Sequence, residues 1–194
     1  WGSAAGIITD RNYASPPDGA CENRCARCDQ ADTETGLLNI CHSSDIWLFS
    51  YNVKTKEAGW HRRLGGYESD RCTYLKHLSS GGFIVASSTS SPQGFDISEP
   101  ALGGFSDAWV VRTSASGEAM WERRYGGSGL DSIWNVLEIT PDRFVLVGNS
   151  SSPADGKKSA PKIGKNDIYL ICIDGSGNIV WEKTYGGIEN ETNV

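Results

Sequence analysis

WHRRLGG (60–66), WERRYGG (121–127) and WEKTYGG (181–187) are one phrase written three times, 61 and then 60 residues apart in a chain of 194. The surrounding residues repeat with it. An Asp stands fourteen or fifteen positions before each Trp: Asp45, Asp107 and Asp167. Each Asp opens an apolar run, IWLFSY (46–51), AWVVR (108–112) or IYLICI (168–173). A polar turn follows, most plainly DGSGN (174–178), built from residues that tight hairpins use. Each unit therefore contains a hairpin that ends on the Trp strand and the Gly pair. The other half repeats too, since DRCTYLKHLSSGGFIVASSTSSP (70–92) aligns without a gap on DSIWNVLEITPDRFVLVGNSSSP (131–153). Both read strand, turn, strand, so one period of about 60 residues holds four short strands.

FIVA, FVLV, AWVVR and IYLICI do not alternate apolar with polar residues. A sheet with one wet face alternates. Short continuous runs imply that both faces are covered. A four-stranded sheet repeated and packed between copies of itself is a blade of a β-propeller. The expected fold is all-β: blades of four antiparallel strands in an incomplete ring of two to three blades, behind a Cys-rich arm. The arm is residues 1–44, partly irregular, and the repeats occupy 45–194, with blade boundaries near 66, 127 and 187. Trp47, Trp60, Trp109, Trp121, Tyr169 and Trp181 are the expected repeat core. For the first, incomplete blade, GLLNICHSS (36–44) is a candidate inner half, and Trp1 a candidate for a faded earlier copy of Trp60.

Composition agrees with strands and turns: 23 Gly, seven Trp and one Met. No window holds the ~18 apolar residues of a membrane span. The net charge of −6 comes without a basic stripe, which excludes a nucleic-acid footprint. The chain opens on Trp1, as expected for a processed mature chain or a piece of something longer.

Four of the six cysteines, Cys21, Cys25, Cys28 and Cys41, fall in the arm. C-x3-C-x2-C has the spacing of a radical-enzyme iron–sulfur motif, but the chain lacks the strand–helix alternation such enzymes need. With Cys41 there are four sulfurs, enough for a structural zinc, though without paired C-x2-C knuckles. Disulfides within 21–41, in an oxidising compartment, are the preferred reading, with the pairing open. Cys72 and Cys172 lie in strand runs and read as buried thiols. No cofactor is expected. The three His residues are scattered, and no G-x-S-x-G, P-loop or H-E-x-x-H occurs. His61 stands where the sister repeats have Glu122 and Glu182, an exchange that suggests a surface position. Asp45, Asp70, Asp107, Asp131 and Asp167 recur in step with the repeat, which fits caps at hairpin ends better than calcium ligands or catalytic acids. Trp47, Trp109 and Tyr169 fit an apolar core better than a series of sugar-stacking platforms.

The pattern D-[IA]-[WY]-[LV]…G-x-x-x-W-x-x-x-x-G-G-x-x-x-D resembles a bacterial β-propeller repeat family common in large secreted and cell-surface proteins. The likeness covers 45–190, and QGFDISEPALGGFSDAWVV (93–111) is especially close to that family's inter-repeat segment. Repeat one departs from it, with Gly59 next to Trp60. Quinoprotein propellers are a more distant likeness. The resemblance implies an extracellular or cell-surface module without catalysis, binding a protein or glycan or serving as scaffold. A multi-chain propeller lectin and a fragment of a quinoprotein-like or hydrolytic enzyme are the alternatives. The loops 91–106 and 152–166 are the expected contacts. Two to three blades leave apolar faces open, so the remainder of a longer propeller, or further copies of the chain, is expected to cover them. Residues 188–194 fall where a next blade would begin.

Overall fold

The computed structural model describes residues 3–9, 44–52 and 54–191. Cys21, Cys25, Cys28 and Cys41 lie outside the described residues, as does nearly all of the 36–44 stretch. Eleven strands and no helix are present among the described residues: β1 (Ser3–Thr9), β2 (Ile46–Asn52), β3 (Glu57–Leu64), β4 (Asp70–His77), β5 (Phe83–Thr89), β6 (Asp107–Thr113), β7 (Ala119–Tyr125), β8 (Asp131–Thr140), β9 (Arg143–Ser150), β10 (Asp167–Asp174) and β11 (Ile179–Tyr185). They form three antiparallel sheets with neighbours in chain order: β1-β2-β3, β4-β5-β6-β7 and β8-β9-β10-β11.

The repeat reaches the level of register. β4–β5 slips by one residue between Cys72 and Tyr74, and β8–β9 between Ile133 and Asn135, the matching place. The β6–β7 and β10–β11 hairpins both carry a bulge just after the pairs Arg112↔Trp121 and Cys172↔Trp181. A bulge increases local twist, so identical bulges give the sheets the same curvature. The first sheet differs. Its third strand, beside β2, is Ser3–Thr9, with Thr9 opposite Ile46 and Ser3 opposite Asn52. That is the place β5 holds beside β6. The 36–44 stretch, apart from Ser44, and Trp1 lie outside the described residues.

The middle sheet shows why the strands lack alternation. Val85, Trp109 and Val111 pack in one cluster with Ile46, Leu48 and Leu64 of the first sheet and with Ile97. Ile84, Ala86, Ala108, Val110 and Tyr125 pack in a second cluster with Ile133, Val136, Phe144, Leu146, Tyr169, Ile171 and Ile173 of the third sheet. Consecutive residues thus go to opposite cores, and both cores are apolar.

Candidate functional site

The Gly pair builds a junction between successive sheets. Gly66 N–H donates to Asp70 Oδ2 at 2.6 Å, Gly127 N–H to Asp131 Oδ2 at 3.0 Å, and Gly187 N–H to Glu191 Oε1 at 2.8 Å. The amides of those three acids donate in turn to the carbonyls of Ser44, Ser106 and Asn166. Ser91 Oγ and Ser152 Oγ complete the first two junctions, at 3.1 and 2.7 Å. Gly is required at 65 because a Cβ there would lie 2.7 Å from Asp45 Oδ1 and 2.9 Å from Asp70 Oδ2. The repeated acids are thus structural acceptors that tie each sheet to the next. Asp107 and Asp167 likewise accept from the loop amides of Leu102 and Ile163, at 3.0 and 2.7 Å.

Burial of Asp70, the first cause, pushes its carboxyl up to about 6, against the lowering effect of its hydrogen bonds. Asp131 is raised for the same reason. Such a carboxyl holds its proton more tightly folded than unfolded. The stabilisation is present in full below about pH 4 and is lost as pH rises through about 6. Thermal melts are therefore expected to lose on the order of 2–3 kcal/mol between those values, and Asp70→Asn is expected to flatten the slope. An unchanged slope in that variant would assign the titration elsewhere.

The repeat-core positions are not equivalent. Trp109 and Tyr169 are wholly buried between sheets, which leaves no face for a sugar. Trp47 is partly buried and meets His61 edge-on at 5.7 Å. Trp60 packs on the first core cluster and Trp121 on the second. Trp181 is 42% exposed. Glu122 corrects the surface reading of the position after the Trp. It is buried, accepts from Trp109 Nε1 at 2.7 Å and from Ser98 N at 2.9 Å, and so pins the 91–106 loop to the core. Glu182 repeats this with Tyr169 O–H and Ala160 N. Only His61, in repeat one, is exposed. Cys172 is buried, and Cys72 is partly buried with its thiol pushed up to about 12 by desolvation.

Against this background one place breaks the pattern. Gly156 sits in the 152–166 loop with φ 58°, and its neighbour Asp155 holds Ser128 through two hydrogen bonds, at 2.9 and 2.5 Å. The matching residue in the 91–106 loop is Phe95, at φ 53°. A bulky residue in the left-handed region costs about 1–2 kcal/mol. Its ring lies 4.5 Å from that of Tyr67, which stands where repeat two has Ser128. Both rings are exposed, Phe95 by 43% and Tyr67 by 39%, and Phe105 on the same loop by 86%. The pair is thus exposed, and only its ring contact is set against the backbone cost at Phe95. Sequence reading reached the loop but not this pair. Tyr67 and Phe95 stand opposite Ser128 and Gly156 when the 61-residue offset of the 70–92 match is carried into its flanks.

A cleft beside the second and third sheets is lined by Glu99, Arg123, Tyr125, Lys157 and Asn178, with Lys157 Nζ 2.5 Å from Glu99 Oε2 and Arg123 Nη1 donating to Glu122 O at 2.8 Å. Among the described residues no cluster of three or more His, Cys, Asp or Glu has the arrangement of a metal site. No helix there is long and apolar enough to cross a membrane. No protein-family model matches the chain, and no curated protein matches it significantly.

Proposed function

We propose that this chain is part of an extracellular β-propeller that binds a protein or glycan, or acts as a scaffold, at the cell surface, and that it is not a catalyst. The stacked, register-matched sheets support the propeller reading. The Tyr67–Phe95 pair carries the binding reading, because it departs from the repeat on a loop and at a backbone cost. Two flat exposed rings suit the apolar face of a pyranose or an aliphatic peptide side chain. The repeated acids support a non-catalytic role, since Asp70, Asp107, Asp131 and Asp167 accept from backbone amides and Asp45 from the Arg63 side chain. A lectin with one equivalent pocket per blade is disfavoured, because Ser128, Asp155 and Gly156 fill the matching place in repeat two.

Phe95→Gly with Tyr67→Ser copies repeat two. The double variant is expected to keep its stability within about 1 kcal/mol, since relieved strain offsets the lost ring contact. It is expected to lose at least tenfold in affinity for whichever glycans the parent chain captures on an array. An array on which parent and variant score alike would remove this surface from the binding account.

A further inference from the structure

We propose that the open face of the third sheet receives a fourth sheet of the same repeat, one with glycine in the left-handed position of its outer hairpin turn, and not the first sheet of a second copy. The inference rests on the propeller reading above and specifies how the stack continues. Its basis is an interface seen twice. Trp60, at the end of the first sheet, lies against Gly117 in the β6–β7 turn of the second, where any Cβ would overlap the indole. Trp121 lies in the same way against the β10–β11 turn of the third sheet, where a Cβ on Gly177 would come within 3.2 Å of its ring. Trp121 Nε1 donates to Gly175 O at 2.9 Å and Tyr125 O–H to Gly177 O at 2.7 Å. Gly117 and Gly177 have φ of 80° and 82°, so glycine serves both the turn and the indole seat.

Trp181 and Tyr185 occupy these places on β11. Trp181 pairs with Cys172 as Trp121 does with Arg112, and Tyr185 with Ile168 as Tyr125 does with Ala108. Tyr125 is 2% exposed but Tyr185 49%. The path into a fourth sheet is already laid. Asn190 bridges Asn166 in parallel as Leu130 bridges Ser106, and Glu191 N donates to Asn166 O at 2.8 Å as Asp131 N does to Ser106 O at 3.0 Å.

The first sheet of a second copy does not fit this face. Its turn carries Lys56, φ 61°, where the other two have glycine, so a side chain stands in the indole seat.

The test appends a second copy of residues 128–187 directly after Gly187 and follows Trp181 by fluorine NMR of fluorotryptophan-labelled protein. In the parent chain the Trp181 resonance is expected to shift on changing from H2O to D2O. In the extended chain that shift is expected to vanish, and Trp181→Ala is expected to lower Tm by about 6–15 °C, against under ~2 °C in the parent. A Trp181 that stays solvent-exposed in the extended chain overturns the proposal. So does a parent chain that self-associates in sedimentation velocity through a contact abolished by Trp181→Ala, because the occupant is then a second copy. If the extended chain fails to fold, Trp181→Lys and Trp121→Lys are compared in the parent. The proposal requires the first to be tolerated and the second to unfold the protein, and equal losses overturn it. Neither readout involves Tyr67 or Phe95, so failure here leaves the binding proposal standing. Failure of the propeller reading itself would appear at Trp60 and Trp121.

Discussion

Arg124→Thr is expected to destabilise the chain by about 3–5 kcal/mol, and adding Ile97→Lys is expected to restore most of that loss. Arg124 and Asp107 are each 1% exposed, and their side chains meet at 2.5 Å. Arg124 also donates through Nε to Glu99 O at 3.2 Å and through Nη2 to Ser91 O. Removing the guanidinium strands a buried carboxylate and two carbonyls. The third sheet has nonetheless made that change, since Thr184 stands at the Arg124 position. Its cation comes from the loop instead. Lys158 is 3% exposed and donates to Ser152 O at 2.9 Å and Ala160 O at 2.8 Å, the counterparts of Ser91 O and Glu99 O. Lys158 stands where the middle sheet has Ile97, and its Nζ lies 5.4 Å over the Tyr169 ring, the counterpart of Trp109. Burial holds this amine below its ordinary value, against the opposing pull of Asp131, Glu182 and Asp167. Charge has therefore moved from strand to loop while its two carbonyl contacts stayed fixed, and Asp167, the counterpart of Asp107, accepts from the amides of Ile163 and Gly164. Urea unfolding of the two single variants and the double variant reads the coupling. A double variant as unstable as the sum of the singles would show that the two sites are not alternatives.

Trp109→Ala is expected to cost about 3–5 kcal/mol, at the upper end of core truncations. The indole is wholly buried between the first and second sheets, so its loss opens a cavity in the first cluster. It also removes the Nε1 donor from buried Glu122, which then retains only the 91–106 loop contacts with Ser98. Trp109→Tyr copies the third sheet, where Tyr169 O–H donates to Glu182, and is expected to cost less than half as much. Equal losses for Ala and Tyr would mean that the Glu122 acceptor contributes little.

The sheets were legible in the sequence because their strands report two covered faces at once. Ile84, Val85 and Ala86 are consecutive and apolar, and they go to alternate cores. The hairpin over Asp174–Asn178 was legible from residues that cap their own turn, Asp174 Oδ1 accepting from Ser176 N and Asn178 N at 2.9 Å each. The pairing of Ser3–Thr9 with β2 was hidden, because nothing in SAAGIIT specifies its partner across some 36 intervening residues. The role of Glu122 was hidden for a different reason. Its exchange for His61 in repeat one suggested tolerance to solvent, whereas the carboxylate is tied to Trp109 Nε1, a contact visible only in three dimensions. The Tyr67–Phe95 pair lay in view, but only a comparison of left-handed backbone at Phe95 and Gly156 distinguishes an aromatic held outward from one left over from the core.

The first and second sheets each seat their last-strand Trp against the hairpin turn of the next sheet. An isotope-edited NOESY spectrum reads this directly. Cross-peaks are expected from the Trp60 indole to the Gly117 α-protons, and from the Trp121 indole to the Gly175 and Gly177 α-protons. Well-resolved Trp60 and Trp121 indoles without cross-peaks to those glycines, and in rapid exchange with water, would contradict it.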